Sequence, residues 1–296
     1  MYGSNCRCES FPDSFGVFAL VIFLDGMNKS YSTNGHGDLW AVVTGAGSGI
    51  GLAFARNLAG RGYNIFAVGR EMERLLTCRS ELESRYGVRV VAESMDLACP
   101  DSAERLYERY LAAGIRAQVL VNDAGMFIYN DILDTSQDRI DAILMLHIRT
   151  VATLCRLFAA DMASSGGGHI VNMASYSVWM PYPGIALYSA TKAFVKTFSV
   201  AFAKEVCECG VSVTAVSPAG VATDFYGLPS KLQKLGRRLG VLLTPDAVAR
   251  KSLKAAFRGR RHIVPGWYNR IFIPLLQHMP SPCVRLIRRE TKRFMH

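Results

Sequence analysis

Leu39-Trp-Ala-Val-Val-Thr44, then Gly45-Ala-Gly-Ser-Gly49-Ile-Gly51, then Leu52-Ala-Phe-Ala-Arg-Asn-Leu58 run on without a break. The first six residues are apolar and β-branched, which suits a strand buried on both faces. The last seven have helical spacing. Between them lies a glycine-rich turn from strand to helix. Such a turn lets backbone N–H groups approach a pyrophosphate, and the helix N-terminus favours its negative charge. A tight turn without a ligand is the plainer reading of glycines alone, but here strand and helix flank them as the binding mechanism requires.

The same alternation continues outward. Strands are expected over 39–44, 63–68, 88–95, 116–122, 168–174 and 211–217, with a short one near 261–264. Helices are expected over 50–61, 71–86, 101–113, around 136–163, around 186–209 and over 245–257. Strands alternating with helices form a parallel sheet covered on both faces, with ligands at the carboxyl ends of the strands. The fold class is therefore α/β, a single Rossmann-type doubly wound parallel sheet with helices on both faces. Ser164-Ser-Gly-Gly-Gly168 is a loop, since the pattern resumes at once.

The second strand ends in Gly69-Arg70. An acid in that region, about 20 residues past the glycines, would bind a ribose 2′-hydroxyl and select NAD(H). A guanidinium suits a 2′-phosphate, so NADP(H) is expected over NAD(H). An ordinary solvated arginine is the alternative.

Tyr188-Ser-Ala-Thr-Lys192 places a phenol and an ammonium on one helical face. An adjacent cation favours the phenolate and makes the group able to exchange a proton with a substrate oxygen. Tyr-x-x-x-Lys is common by chance and gains meaning only with a cofactor turn and a polarising hydroxyl upstream. Ser175, in Ile170-Val-Asn-Met-Ala-Ser175, supplies the hydroxyl.

With Met95-Asp96-Leu97 after the third strand, Asn122-Asp-Ala-Gly125 after the fourth, and Pro218-Ala-Gly-Val-Ala-Thr223 after the sixth, the chain resembles the short-chain dehydrogenase/reductase family. The likeness runs from about 39 to about 265, and the Ser175–Tyr188 and Tyr188–Lys192 separations agree with the family pattern. The resemblance implies that Tyr188 exchanges the proton while hydride moves at the nicotinamide. It implies that Lys192 holds the ribose hydroxyls and that Ser175 polarises the substrate oxygen. It further implies that Gly45, Ser48, Gly49, Ile50 and Gly51 cradle the pyrophosphate, with Arg70, Asp96 and Leu97 on the adenine side. Asn122, Ala124 and Gly125 would line the cofactor from the fourth strand, Pro218 and Val221 would line it after the sixth, and Thr223 would meet the carboxamide side of the nicotinamide.

Three positions depart from the family pattern. Asp123 stands where a second asparagine is usual, a change expected to alter a strand-end hydrogen bond and not the chemistry. Pro218-Ala219 replaces Pro-Gly. His147 stands where an asparagine commonly holds a relay water behind the lysine. A neutral imidazole can donate and accept, so a relay role and a satisfied core histidine are both open.

The net charge is +10, of which +8 lies between Ala256 and His296, leaving the catalytic body near balance. The domains expected are an extension over 1–38, the NADP-binding catalytic domain over 39–265 and a basic amphipathic tail over 266–296. In the tail, Cys283, Leu286, Ile287 and Phe294 could share one helical face among arginines, which suits an anionic membrane surface. Packing on the protein's own surface or on a partner subunit is the other reading. Phe15–Leu24 is too short to span a bilayer, and Glu9 and Asp13 spoil the positive flank of a signal peptide. Residues 1–26 read as an over-extended start, with Met27 as the alternative.

Eight cysteines lack the spacing of a disulfide framework or a metal site, so free thiols in the cytoplasm and no metal are expected. Nucleic-acid binding has no module behind it. Val178-Trp-Met-Pro-Tyr-Pro-Gly184 and the segment 224–243 would shape an apolar substrate pocket, the latter as a lid. The function expected is carbonyl–alcohol interconversion on a hydrophobic substrate such as a steroid, a long-chain acyl derivative or a sphingoid-type ketone. A non-catalytic NADP-binding sensor or scaffold is the alternative. Leu154, Leu157, Phe158, Phe194, Phe198 and Phe202 offer faces for a homodimer or homotetramer, or equally for a core.

Overall fold

The computed structural model describes residues 39–180, 182–223 and 242–266, with scattered positions between 273 and 289. The expected extension, most of the 224–243 lid segment and most of the tail's apolar face lie outside the described residues.

Seven strands form one parallel sheet: β1 (Trp40–Thr44), β2 (Asn64–Gly69), β3 (Val90–Ser94), β4 (Ala117–Asn122), β5 (Gly168–Met173), β6 (Val211–Val216) and β7 (His262–Ile263). Their spatial order is β3-β2-β1-β4-β5-β6-β7. The order reverses between β1 and β4, and a cleft must open at the carboxyl ends there. The helices are α1 (Gly49–Ala59), α2 (Met72–Tyr86), α3 (Ser102–Ala112), α4 (Gln137–Leu144), α5 (Thr150–Ser164), α6 (Ala186–Glu205) and α7 (Pro245–Ala256).

Side-chain alternation along the strands divides the interior in two. Ala41, Val43, Ile65, Ala67 and Val121 pack against α1, α2 and α7 through Phe54, Leu58, Leu75, Leu82 and Leu253. Trp40, Val42, Phe66, Val68 and Leu120 pack against α3, α5 and α6 through Leu106, Tyr110, Leu154, Phe158 and Ala203. Burying both faces explains why these strands read as apolar runs instead of alternating patterns.

One element differs from its expected form. The long helix over 136–163 is two α-helices joined by a π-turn, Met145–Arg149. The wider turn carries His147 inward, 1% exposed. Such bulges inside helices collect at functional sites. By length and composition Gln137–Ser164 could cross a membrane, yet half of its most apolar stretch is buried inside the protein.

Candidate active site

The glycine turn leaves β1 and enters α1. Gly45 has φ 73°, a left-handed conformation that glycine adopts without penalty. Gly51 is required for closeness: a Cβ there would lie 2.2 Å from the Gly45 carbonyl oxygen. Behind the turn, Thr44 Oγ1 accepts from the Asp123 and Ala124 N–H groups, both at 3.1 Å, and so fixes the exit of β4.

A cleft of about 740 Å³ opens at this edge. Gly45, Ser48, Gly49, Ile50, Arg70, Ala124 and Gly125 form one end, and Ser175, Tyr188, Lys192, Pro218, Val221 and Thr223 the other. A smaller cleft of about 150 Å³ adjoins it, lined by Arg70, Met95, Asp96 and Leu97. Both include Arg74, which sequence reasoning missed. The signal available was its spacing, one helical turn past Arg70; its guanidinium pairs with Glu71 at 2.8 Å.

The three candidate reacting groups come from two places, the end of β5 and α6. Ser175 follows β5, and its Oγ accepts from the Ser177 N–H at 3.1 Å. With a lone pair so engaged, its own O–H is available to donate toward the cleft. Tyr188 and Lys192 come from the first two turns of α6 and are 4% and 5% exposed. Lys192 Nζ donates to the Met173 carbonyl at 2.9 Å and lies 5.9 Å from the centre of the Tyr188 ring. Burial pushes the Lys192 ammonium down to about 8, against the pull of Asp123 in the other direction. Phe127 meets the Tyr188 ring edge to face at 5.0 Å.

His147 is held at both ring nitrogens. Nε2 accepts from the Met126 N–H at 3.1 Å, and Nδ1 lies 2.9 Å from Thr191 Oγ1. Thr191 spends its own proton on the Tyr188 carbonyl at 2.8 Å. This network assigns the proton of a neutral ring to Nδ1. Burial, with help from the Lys192 cation, holds the imidazole well below its usual titration range. Both nitrogens are thus occupied within the protein, the arrangement of a satisfied core histidine that positions the first turns of α6.

Asn122 is brought to the site's floor, not to its wall. Its amide donates to Asn172 Oδ1 at 2.8 Å, and Asn172 in turn donates to Ser199 Oγ at 2.9 Å. Strand alternation turns this side chain into the interior, and the wall at β4 is made by Asp123, Ala124 and Gly125 instead. Asp123, expected to matter only at the strand end, faces the cleft and acts electrostatically on Lys192.

The short chain dehydrogenase family model matches residues 39–230. The chain belongs to the short-chain dehydrogenase/reductase family. It is 31% identical over 260 residues to the very-long-chain 3-oxoacyl-CoA reductase of Coprinopsis cinerea, covering 83% of this chain and 74% of that one. It is 32% identical over 219 residues to mouse 17-beta-hydroxysteroid dehydrogenase type 3, covering 73% and 68%. Against the very-long-chain reductase of Pyrenophora tritici-repentis, 32% identical, the match covers 70% of this chain and 60% of that enzyme's length. Among solved structures, a Sphingobium yanoikuyae short-chain dehydrogenase in complex with NADPH superposes with a TM-score of 0.70 at 26% identity, covering 82% and 96%.

The cleft fits a dinucleotide: a glycine-rich turn at a helix N-terminus, guanidinium groups at one end and a lysine at the other. The chain is an NADP(H)-dependent oxidoreductase of this family.

Proposed function

We propose that the chain reduces the carbonyl of a hydrophobic substrate, a long-chain 3-oxoacyl derivative or a steroid ketone. The observation that carries this reading is the convergence of Ser175, Tyr188 and Lys192 at one end of the cleft. The relatives named above act on such compounds. Phe127, packed on Tyr188, and its neighbour Tyr129, stacked on Phe127 at 6.3 Å, give an apolar approach to the reacting groups.

Bound NADPH supplies the hydride. Ser175 donates its hydroxyl proton to the substrate oxygen and so draws charge onto it. Tyr188 delivers a proton to that same oxygen as negative charge develops. Lys192 keeps a cation beside the phenol and favours the phenolate left behind. Its buried ammonium, fixed to the Met173 carbonyl, needs no reorganisation to do so. Arg70 and Arg74 would hold the 2′-phosphate that separates NADP(H) from NAD(H), while Asp96 and Leu97 would bound the adenine.

The finer assembly and placement belong to the same proposal. Phe194, Phe198 and Phe202 stack along α6 at 5.6 and 5.3 Å and are only half-buried, a face suited to a second copy in a homodimer. We place the protein in the cytoplasm, peripheral to an anionic membrane. Arg288 of the basic tail reaches Asp131 at 2.5 Å, beside Ile132 and the 95%-exposed Leu133. Basic and apolar groups side by side suit a lipid surface.

The test is NADPH oxidation by the purified chain against 3-oxoacyl thioesters, ketosteroids and 3-ketosphinganine. Turnover of at least one class that vanishes in Tyr188→Phe supports the proposal. NADPH binding with no turnover of any carbonyl would replace it with a sensor or scaffold role.

A further inference from the structure

Gly51 is the third residue of α1, in the turn whose backbone amides have no partner inside the helix. Those amides, with the helix dipole, are what a pyrophosphate seeks. In this chain the carboxylate of Asp123 stands against the Gly51 backbone and acts on it electrostatically. Asp123 Oδ2 would lie 2.9 Å from a Cβ on Gly51 and 3.3 Å from one on Gly45, so the carboxylate is seated against both ends of the turn. It also lines the cleft. The protein therefore keeps an anion of its own at the positive pole that the dinucleotide must use.

We propose that Asp123 is a cofactor-positioning residue that makes dinucleotide binding proton-linked: its carboxylate sits against the glycine turn in the free protein, and the phosphates of NADP(H) bind with uptake of a proton on that carboxyl. The inference rests on the NADP(H) reading of the cleft. A second negative charge brought into a desolvated site favours the neutral acid. The neutral acid keeps an acceptor oxygen and gains a donor.

The surroundings permit this near neutrality. Burial pushes the Asp123 carboxyl up to about 7, while the Lys192 cation and the Gly51 amide pull it back. Lys192, from α6, is the charged group acting on it. His147, from the π-turn, is held neutral, and Tyr188 lines the same cleft. The turn packed against the carboxylate, residues 45–51, has no ionisable side chain, and Arg56 of α1 is committed to Glu81 at 2.7 Å.

The experiment is calorimetric titration of the full chain with NADPH at pH 6 to 9, in buffers of different ionisation enthalpy. Wild type is expected to take up more than about half a proton at pH 8, and its affinity to fall with rising pH above about 7. Asp123→Asn keeps an acceptor oxygen; it is expected to lose that uptake and to bind NADPH about 10-fold more tightly than wild type at pH 8, the two converging toward pH 6. Titration of the cofactor's own phosphate is common to both proteins and cancels in the difference. Uptake by Lys192 would persist or grow in the variant, the opposite direction. Equal uptake and parallel affinity profiles in the two proteins overturn the proposal. Failure of wild type to bind NADPH at any pH overturns the cofactor reading with it. If Asp123→Asn does not fold, Asp123→Ser and the wild-type pH profile decide: a dissociation constant independent of pH from 6 to 9 overturns it.

Discussion

The two ends of the cleft are built from different materials. At the adenosine end, the proposed binding groups are backbone amides of the glycine turn and two solvent-facing arginines, Arg70 and Arg74. At the nicotinamide end the proposed groups are the buried side chains Ser175, Tyr188 and Lys192, and half-buried Asp123, seated against the glycine turn, acts on Lys192. Backbone amides do not titrate, and exposed guanidinium groups are screened by water and salt. Buried groups are not. The difference implies that the first end sets which dinucleotide binds, and the second sets when and how fast it reacts.

Substitutions that strike each end separately should break or sharpen this contrast. The largest effect belongs to Gly51→Ala, whose new Cβ meets the Gly45 carbonyl and the Asp123 carboxylate at once. NADPH binding, measured by fluorescence, is expected to become undetectable while substrate-site residues are untouched. Lys192→Met at the other end should leave NADPH bound and lower kcat/KM roughly 100-fold. Its pH profile carries the same message: the ammonium titrates near 8, so reductive kcat/KM should fall as pH rises through that value. In Lys192→Met this limb should be missing.

Smaller effects follow at the adenosine end. Arg70→Ala and Arg74→Ala should each weaken NADPH about 10-fold while leaving NADH nearly unchanged, as loss of a charge-assisted phosphate contact requires. An unchanged NADPH/NADH ratio in both would remove the 2′-phosphate assignment.

The smallest effect is on stability. His147 and His169 are both held neutral by burial, His169 down to about 4. Below the ordinary histidine range near 6.5 the unfolded chain binds more protons than the folded one, so stability falls as pH drops from about 7 to 5. Replacing His147 by Asn should flatten that slope in thermal melts by roughly one histidine's share. Turnover should change only modestly, since both ring nitrogens serve the protein itself. A large loss of turnover with a shifted pH profile would restore the relay role.

The same contrast explains what was legible in the sequence. Apolar runs and glycine spacing are local signals, so the sheet, the glycine turn and the Ser175–Tyr188–Lys192 set could be read from residue order. The π-turn could not: its His147 accepts from the Met126 N–H, a partner 21 residues away in the chain. Asp123 looked like a minor strand-end change because its partners, Gly51 and Lys192, lie 72 residues before it and 69 after it. Arg74 was masked by an ordinary amphipathic helix, and Asn122 was misplaced because alternation along β4 decides which side chain faces the cleft. Non-local electrostatics is what sequence order hides.

The central claim, that the buried end performs the chemistry while the glycine turn and arginines hold the dinucleotide, is tested most directly in Tyr188→Phe. NADPH affinity and single-turnover reduction of a 3-oxoacyl thioester or ketosteroid that wild type accepts should be measured on the same preparation. The account predicts NADPH affinity within about 3-fold of wild type and a reduction rate lower by about 1000-fold or more. A reduction rate within a few-fold of wild type would contradict it.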